Sequence, residues 1–439
     1  MKSKVFIFVL LLAALLFLAA CQSSGESTST EAEEANSEKS AGTETETEDN
    51  EVTLNLWFPG TGHIETAVQD IVTKFEEENP NIKVEVEAIP WADYFQKLSV
   101  GYAGGTAPDI HGIGFGQLIY TVMEDQYMDL NQFIEEDNWD GKDDMFESIL
   151  EAGQFEGGQY GLLFPEVRPM VWRKDFFEEV GLDPEQPPQS IDEIFEFANK
   201  LKVIDEEGDT TRAGINISTQ QGEQNFFSLL MLLGQDLYEP NGNPLWDNPD
   251  AIELQERLVD LYNDGAIIPS HSQQLEGNPF SNSQAAMSFE SSPGIQELSD
   301  AVGIENIGWT VPPAGPDGDR TALMLGTFLT MSKNTDHPDE AWELIKFWFE
   351  PEIILEFTKQ TGFAAPRKSL EEEFKALAPQ NEVVFQTMED ARGYQPTEHW
   401  SVNMEYLRLA LEESYNGIRP VKEAFEVNAE MIRQEIGLE

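Results

Sequence analysis

The side chains that most often carry covalent or metal chemistry are sparse in this sequence of 439 residues. It has one cysteine, Cys21, and five histidines that occur singly, at positions 63, 111, 271, 337 and 399. No two of them have the short spacing of a metal site, and no Gly-x-Ser-x-Gly segment marks a nucleophilic serine. Because 82 residues are acidic, a pair of carboxylates says nothing about acid–base catalysis. We therefore predict no catalytic residues, no metal site and no cofactor.

Side chains suited to binding a polar solute are better represented. Trp and Tyr offer a flat apolar face and a polar handle, and pockets combine such walls with a few placed polar groups. Trp57 and Phe58 end the first predicted strand, beside a turn at Thr61. In the loop "HGIGFGQ" after a later predicted strand, glycines would let His111 and Phe115 approach a ligand. Ligands bind outside the carboxyl ends of strands in open α/β sheets, so we predict these five residues near a ligand.

Cys21 follows the first hydrophobic run of the chain. Two lysines precede an uncharged stretch over residues 5–20, and small residues follow it. This pattern is typical of a secretory signal peptide, and the segment "LAAC" resembles the bacterial lipobox. We predict that residues 1–20 are removed and that the Cys21 sulfur carries a diacylglycerol, which would hold the protein at a membrane surface. An uncleaved anchor helix is the alternative.

The composition beyond Cys21 is strongly acidic. Residues 21–50 are almost entirely Ser, Glu, Thr, Ala and Gly, so we predict a disordered tether. The net charge is -56, and most of the acidic residues lie beyond residue 50. This sign excludes nucleic acid as a partner. It favours a saline or alkaline habitat, where an acidic surface maintains solubility.

The hydrophobic pattern of the remaining chain predicts an α/β fold. Apolar residues alternate over 52–58 and again over 82–88, as in strands, and between them they recur at helical spacing over 64–75. This order implies parallel strands joined by a right-handed crossover. Ser190 to Glu193 forms a capping box that would start a later helix, and residues 341–348 indicate another.

Several segments resemble the family 1 extracellular solute-binding proteins of ABC importers, the sugar-binding group that includes maltose-binding protein. The similar segments are "NPNIKV", "GTAPDI", "YGLLFPEVRPMVWRKDFF", "AAMSFESSPG" and "AWELIKFWFEPEIILEFTKQTGFAAPRKSL". Their order and spacing follow the family from about Val52 to the C-terminus. Trp172-Arg173 replaces the family's usual Tyr-Asn, and Ser292-Pro293 stands where relatives often carry an aromatic residue.

The resemblance implies two α/β lobes that close on a ligand like a hinged clamp. Crossings between lobes would fall near residues 163–166, 325–327 and 362–365, where glycine and proline suit hinges. The resulting prediction is an N-lobe over 51–163 plus 327–362 and a C-lobe over 164–326 plus 363–439.

The resemblance also adds candidate ligand contacts in the cleft between the lobes. These are Glu166, Arg168, Glu290, Thr327, Tyr394 and Trp400. A carboxylate and a guanidinium could each take paired sugar hydroxyls, although a mutual salt bridge is the alternative for Glu166 and Arg168. Trp91 would be structural or lie at the cleft rim.

The predicted function is capture of a solute, a mono- or oligosaccharide, and its delivery to the permease subunits of an ABC transporter. The resemblance implies a monomeric, lipid-anchored protein on the extracellular face of a bacterial cell, and the lipobox favours a Gram-positive one. A carbohydrate-active enzyme and a binder of a polyol or osmolyte remain alternatives. A surface adhesin suits the strand–helix alternation less well.

Overall fold

The computed structural model describes residues 51–220, 222–270, 277–316, 318 and 320–438. The predicted signal peptide, the predicted acylation site at Cys21 and the predicted tether therefore lie outside the described residues. Within the described residues, no helix is both long and apolar enough to cross a membrane.

Strands and helices alternate over much of this region. The strands are β1 (Val52–Pro59), β2 (Ile82–Ile89), β3 (Ile110–Gly114), β4 (Gln154–Phe155), β5 (Gly158–Gln159), β6 (Leu162–Val167), β7 (Met170–Arg173), β8 (Val203–Ile204), β9 (Thr210–Arg212), β10 (Met287–Phe289), β11 (Ile307–Thr310), β12 (Ala322–Met331) and β13 (Ala391–Arg392). The helices are α1 (His63–Glu78), α2 (Trp91–Gly104), α3 (Leu118–Met123), α4 (Asn131–Glu136), α5 (Gly141–Asp144), α6 (Glu147–Ala152), α7 (Lys174–Glu179), α8 (Ile191–Leu201), α9 (Glu223–Met231), α10 (Pro249–Asn263), α11 (Ile295–Val302), α12 (Pro338–Trp348), α13 (Pro351–Thr361), α14 (Glu371–Leu377), α15 (Asn381–Glu389), α16 (Trp400–Tyr415) and α17 (Val421–Glu435).

The first sheet has six strands in the order β13-β12-β3-β1-β2, with β6 also paired to β12. β1 runs parallel to β2 and β3, whereas β12 runs antiparallel to both β3 and β6. The predicted strand–helix–strand unit is confirmed as β1, α1 and β2. The buried face of α1 consists of Ala67, Val68, Ile71, Val72 and Phe75.

The second sheet has three antiparallel strands, with β7 between β10 and β11. Two short hairpins, β4-β5 and β8-β9, complete the strands of the described residues. One half of the predicted capping box is confirmed, because the Ser190 side chain accepts a hydrogen bond from the Glu193 backbone N–H at the start of α8. The Glu193 carboxylate accepts from the backbone N–H of Gln189, one residue before the expected donor.

Each large sheet borders its own hydrophobic core. The first core contains Phe58 and Trp348, and the second core contains Trp172 and Trp246. β12 contributes to both, because Met324 and Phe328 pack in the first core whereas Leu323 and Leu325 pack in the second. The fold class is therefore α/β, as predicted, and the described residues form two large hydrophobic cores.

One predicted boundary differs from the observed packing. The prediction assigned all residues after 362 to the C-lobe, yet Phe363, Phe374, Phe385 and Ala391 are buried in the first core. Phe363 stacks on Phe357 of α13, with ring centroids 5.9 Å apart. Among the residues after 362, buried side chains belong mainly to the second core only beyond β13, so the chain returns from the first core to the second near residue 392.

Candidate ligand-binding cleft

A cavity of about 350 Å³ lies where residues of the two cores approach each other. We call it the main cavity. Its lining comes from α2, the end of β3, the end of β6, α9, the middle of β12, the segment after α13, and α16. The lining residues are Trp91, Phe95, Gly114, Phe115, Gly116, Gln117, Glu166, Arg168, Gln224, Leu325, Gly326, Thr327, Phe363, Tyr394, Trp400 and Arg408.

Aromatic rings form opposite walls of the main cavity. On the side of the first sheet, Trp91 and Phe95 lie on α2 with ring centroids 5.4 Å apart. On the side of the second core, Tyr394 and Trp400 meet edge to face at 5.8 Å. Tyr394 also stacks on Phe227 of α9, at 5.4 Å. The cavity therefore offers aromatic faces from both sides.

Two glycines allow the walls to approach. A Cβ atom built on Gly116 would lie 2.0 Å from the indole of Trp400, and one built on Gly393 would lie 2.1 Å from the ring of Phe115. Any side chain at these positions would displace the neighbouring ring, since real Cβ contacts are longer than 3.0 Å. The short 3-10 turn over Phe115–Gln117 is therefore packed closely against the residues that begin α16.

The main cavity also carries two ion pairs. Arg168 donates from Nη2 to Oε1 of Glu166 at 3.1 Å, so the mutual salt bridge that stood as the alternative to ligand contacts is present. Arg408 of α16 donates from Nη2 to Oε1 of Glu223 at 2.5 Å, and Glu223 is buried. Each cation is thus balanced by a carboxylate.

Several donors around the main cavity have no hydrogen-bond acceptor within the described part of the chain. They are Nε of Arg168, Nε of Arg408 and Nε1 of Trp400. Burial raises the pKa of Tyr394, so its hydroxyl stays protonated and can donate. Because buried donors are usually paired, this arrangement suits a ligand that supplies oxygen acceptors.

A smaller cavity of about 270 Å³ adjoins the main cavity. We call it the side cavity. The two share Phe115, Gly116, Tyr394 and Trp400, and the side cavity extends towards α6 and the residues around Arg392. Arg392 pairs with Asp236 at 2.9 Å. The shared aromatic wall therefore has open space on both sides.

The structure brings six of the predicted ligand contacts together in the main cavity. They are Phe115, Glu166, Arg168, Thr327, Tyr394 and Trp400. They come from four separate stretches of sequence, which the pairing of β12 with β3 and β6 draws to one place.

Two predicted contacts are wrong because their side chains are buried in the first core. The ring of Phe58 is fully buried and lies 5.7 Å from that of Trp348 and 6.0 Å from that of Phe164. His111 is fully buried, and its Nε2 lies 2.8 Å from the hydroxyl of Tyr102. Burial lowers the pKa of His111 to about 4, so this imidazole is neutral near pH 7.

Three further predicted contacts lie outside the main cavity. Trp57 is half-buried on the α2 side of β1, with Nζ of Lys97 4.5 Å from its ring centre. Thr61 is exposed in the turn before α1. Glu290 is buried and accepts a hydrogen bond from Asn278 at 3.1 Å. Burial raises the pKa of Glu290.

Sequence reasoning missed several residues of the main cavity. Gln117 and Gln224 belong to no recognisable binding motif, and Phe363 was considered only as part of the predicted crossing between lobes at residues 362–365. Arg408 lies eight residues after Trp400 on the same helix, so helical spacing puts both on one face and could have revealed it. Trp91, predicted to be structural or at the rim, lines the cavity and is 41% exposed.

No group of three or more potential metal ligands occurs among residues 51–438 where the structure describes them. The lining of the main cavity offers aromatic faces, hydroxyl and amide groups, and paired charges.

Comparison with known proteins identifies a family and a fold. The family of bacterial extracellular solute-binding proteins matches residues 70–382. A binding protein of Brucella abortus is 25% identical over 304 residues, covering 68% of this chain and 72% of its own. The sn-glycerol-3-phosphate-binding periplasmic protein of Escherichia coli is 21% identical over 354 residues, covering 71% of this chain and 73% of its own.

Solved structures share the fold over most of the chain. An ABC transporter solute-binding protein of Thermotoga lettingae, bound with α-D-tagatose, aligns with a TM-score of 0.76 at 18% identity, covering 88% of this chain and all of its own. An ABC substrate-binding protein of Listeria monocytogenes, in complex with cycloalternan, gives 0.77 at 21% identity, covering 88% and 99%. The sugar-binding protein MalE of Xanthomonas citri gives 0.75 at 21% identity, covering 88% and 98%.

Proposed function

Because the chain belongs to the family of bacterial extracellular solute-binding proteins, as its motifs predicted, we propose that it captures a carbohydrate in the main cavity and delivers it to an ABC permease. The solved structures that share its fold include proteins bound to tagatose and to cycloalternan. Their ligands support a mono- or oligosaccharide as the solute class.

The composition of the main cavity carries the proposal. A pyranose ring has C–H faces that pack on aromatic rings, and hydroxyls that accept and donate hydrogen bonds. Trp91, Tyr394 and Trp400 supply the faces. Arg168 and Arg408 supply forked donors, and Glu166 supplies an acceptor.

The balance of charge favours a neutral ligand over a phosphorylated one. The named relative from Escherichia coli binds sn-glycerol 3-phosphate, and two arginines could suit such a group. Here each arginine is already paired with a carboxylate, and the chain as a whole carries a net charge of -56. An anion would have to displace a carboxylate and enter a negative field. A neutral polyol or osmolyte remains the second candidate, because it needs the same donors and acceptor.

The proposed mechanism is an equilibrium between open and closed arrangements of two lobes. We assign one lobe to the first core and the other to the second core, with β6, β12 and the chain near residue 392 as the connections. A ligand that touches both sides of the main cavity favours the closed arrangement by its difference in affinity for the two. The permease would then recognise the closed form.

Binding without turnover distinguishes this function from that of a carbohydrate-active enzyme. The family and the named relatives are binding proteins. Incubation with oligosaccharides followed by chromatography should recover them unchanged. Appearance of shorter products would show that the protein is a hydrolase.

We further propose that the protein acts as a monomer, tethered by a lipid on Cys21 to the outer face of the cell membrane of a Gram-positive bacterium. The lipobox-like segment and the acidic stretch after it support this. Cys21→Ser should abolish incorporation of a labelled fatty acid and release the protein into the medium. Retention of the label by this variant would contradict acylation at Cys21.

A thermal-shift screen tests the solute class. A ligand that binds only the native state raises the melting temperature. We expect a shift from at least one sugar, and no larger shift from glycerol 3-phosphate. If only polyols or osmolytes raise the melting temperature, the second candidate replaces the first.

A further inference from the structure

A third cavity, of about 530 Å³, lies beside the main cavity and shares none of its lining residues. We call it the flank cavity. It is bounded by α11 on one side and by the end of α13 and the α14–α15 turn on the other. Gly362 lines the flank cavity and the next residue, Phe363, lines the main cavity, so the backbone at this point separates the two.

We propose that the flank cavity is a binding site for a small organic ammonium ion. Three independent features of its wall favour a positively charged ligand that donates hydrogen bonds. They are unpartnered buried oxygens, the carboxyl end of a helix, and carboxylates at the rim.

The buried oxygens belong to Thr358 and Gln380. Both residues line the flank cavity, and they are only 2% and 6% exposed. Thr358 Oγ1 and Gln380 Oε1 have no hydrogen-bond partner in the described part of the chain. Since buried polar atoms are rarely left unpaired, a ligand with N–H or O–H groups would supply the missing hydrogen bonds to these two oxygens.

The end of α13 adds backbone acceptors. Residues 358–362 line the flank cavity, and α13 ends at Thr361. The last carbonyls of a helix lack partners within the helix, and this end carries the negative part of the helix dipole. Both effects attract a cation.

Carboxylates lie at the rim of the flank cavity. Glu297 and Asp300 lie three residues apart on α11 and are exposed, and both line the flank cavity. The cations in the lining are the exposed Lys359 and, when protonated, His63. Aromatic stacking contributes little, because Phe374, the aromatic residue besides His63 that lines this cavity, is 2% exposed. The flank cavity thus differs in chemistry from the main cavity.

Three ligands of equal length test the inference on the full-length protein at low ionic strength. They are 4-aminobutan-1-ol, a cation at pH 7, butane-1,4-diol, which is neutral, and 4-hydroxybutyrate, an anion. We expect the dissociation constant of the cation, measured by calorimetry, to be roughly 10-fold below that of the diol, given the helix dipole and the screened carboxylate of Glu297. Equal affinities for cation and diol, or tighter binding of the anion, would overturn the proposal.

Variants then place the binding site. Ala378→Trp fills the flank cavity without removing a side-chain hydrogen bond and should abolish binding of the cation, whereas Ala378→Ser should retain it. Glu297→Gln should weaken the affinity for the cation roughly 2- to 5-fold. Glu352→Gln, which changes the net charge equally at an exposed position outside this cavity, should leave the affinity unchanged.

A variant of the main cavity separates this inference from the proposed function. Trp400→Ala should leave the affinity for the cation unchanged, since Trp400 does not line the flank cavity. If Trp400→Ala abolishes binding of the cation, or Ala378→Trp leaves it intact, the cation binds elsewhere and the flank cavity is not its site.

Discussion

Replacing Trp400 by alanine should weaken carbohydrate binding more than any other single truncation of an aromatic residue. Trp400 is half-buried, lines both the main cavity and the side cavity, and packs against Gly116. It is the first residue of α16, so alanine is compatible with the helix.

The magnitude follows from the area that a ligand would cover. A fully covered Trp side chain loses roughly 150–250 Å² of exposed surface, so one face amounts to roughly 60–80 Å². At about 25 cal/mol per Å² this face contributes roughly 1.5–2 kcal/mol. A hydrogen bond from the unpartnered Nε1 would add about 0.5–1.5 kcal/mol. The sum, about 2–3.5 kcal/mol, corresponds to a dissociation constant that is roughly 30- to 300-fold larger.

Isothermal titration calorimetry with the best sugar from the thermal-shift screen measures this change. Trp57→Ala is the matched control, since Trp57 is also half-buried but does not line the main cavity. Trp400→Phe keeps an aromatic face and lacks the N–H, so it should lose less affinity than Trp400→Ala. Circular dichroism should show that all three variants are folded.

Two outcomes would refute the assignment of the cleft. One is an unchanged dissociation constant in folded Trp400→Ala. The other is a loss in Trp57→Ala as large as that in Trp400→Ala, because the ligand would then lie near the end of β1.

Three further predictions concern stability. His111 is buried with its pKa lowered to about 4, against about 6.5 in an unfolded chain. The contribution of this neutral imidazole to the free energy of unfolding should therefore be complete above pH 6.5 and fall by about 3 kcal/mol as the pH drops to 4. Urea unfolding of His111→Gln should lack this fall, and an equal fall in the variant would contradict it. Burial raises the pKa of Glu290, so the folded protein holds this proton more tightly than the unfolded chain does and loses stability as the pH rises through the raised pKa. The melting temperature of Glu290→Gln relative to the wild type should thus increase from pH 4 to pH 8, and a constant difference would exclude this effect. Finally, the net charge of -56 predicts that the melting temperature rises between 10 mM and 1 M NaCl, as the Debye length falls from about 30 Å to about 3 Å; a fall would show that repulsion is not limiting.

Local patterns in the sequence predicted the elements well where a single period dominates. β1, β2 and α1 each bury one face. Their apolar residues therefore recur with a single spacing, every second residue in the strands and at helical intervals in α1. The cap at Ser190 was equally local, since its hydrogen bond spans three residues.

The same patterns could not show which end-of-strand side chains face solvent. Phe58 lies one residue before the end of β1, close to the predicted position, yet its ring meets Trp348 and Phe357, almost 300 residues later in the chain. His111 likewise follows a predicted strand boundary but lies inside β3, where Tyr102 and Thr330 enclose it. Such burial depends on helices that cover the sheet from distant parts of the sequence.

The main cavity itself depends on two long-range features that no local pattern encodes. β12 pairs with β3 and with β6, which places Thr327 opposite both Gly114 and Phe164. The chain then returns near residue 392 and brings Tyr394, Trp400 and Arg408 to the same place. Family resemblance predicted the late loop because it carries this topology implicitly, whereas Glu223, which holds Arg408 from α9, has no sequence signal of its own. A cavity residue that is held by a buried ion pair is recognisable only after its partner has been located in three dimensions.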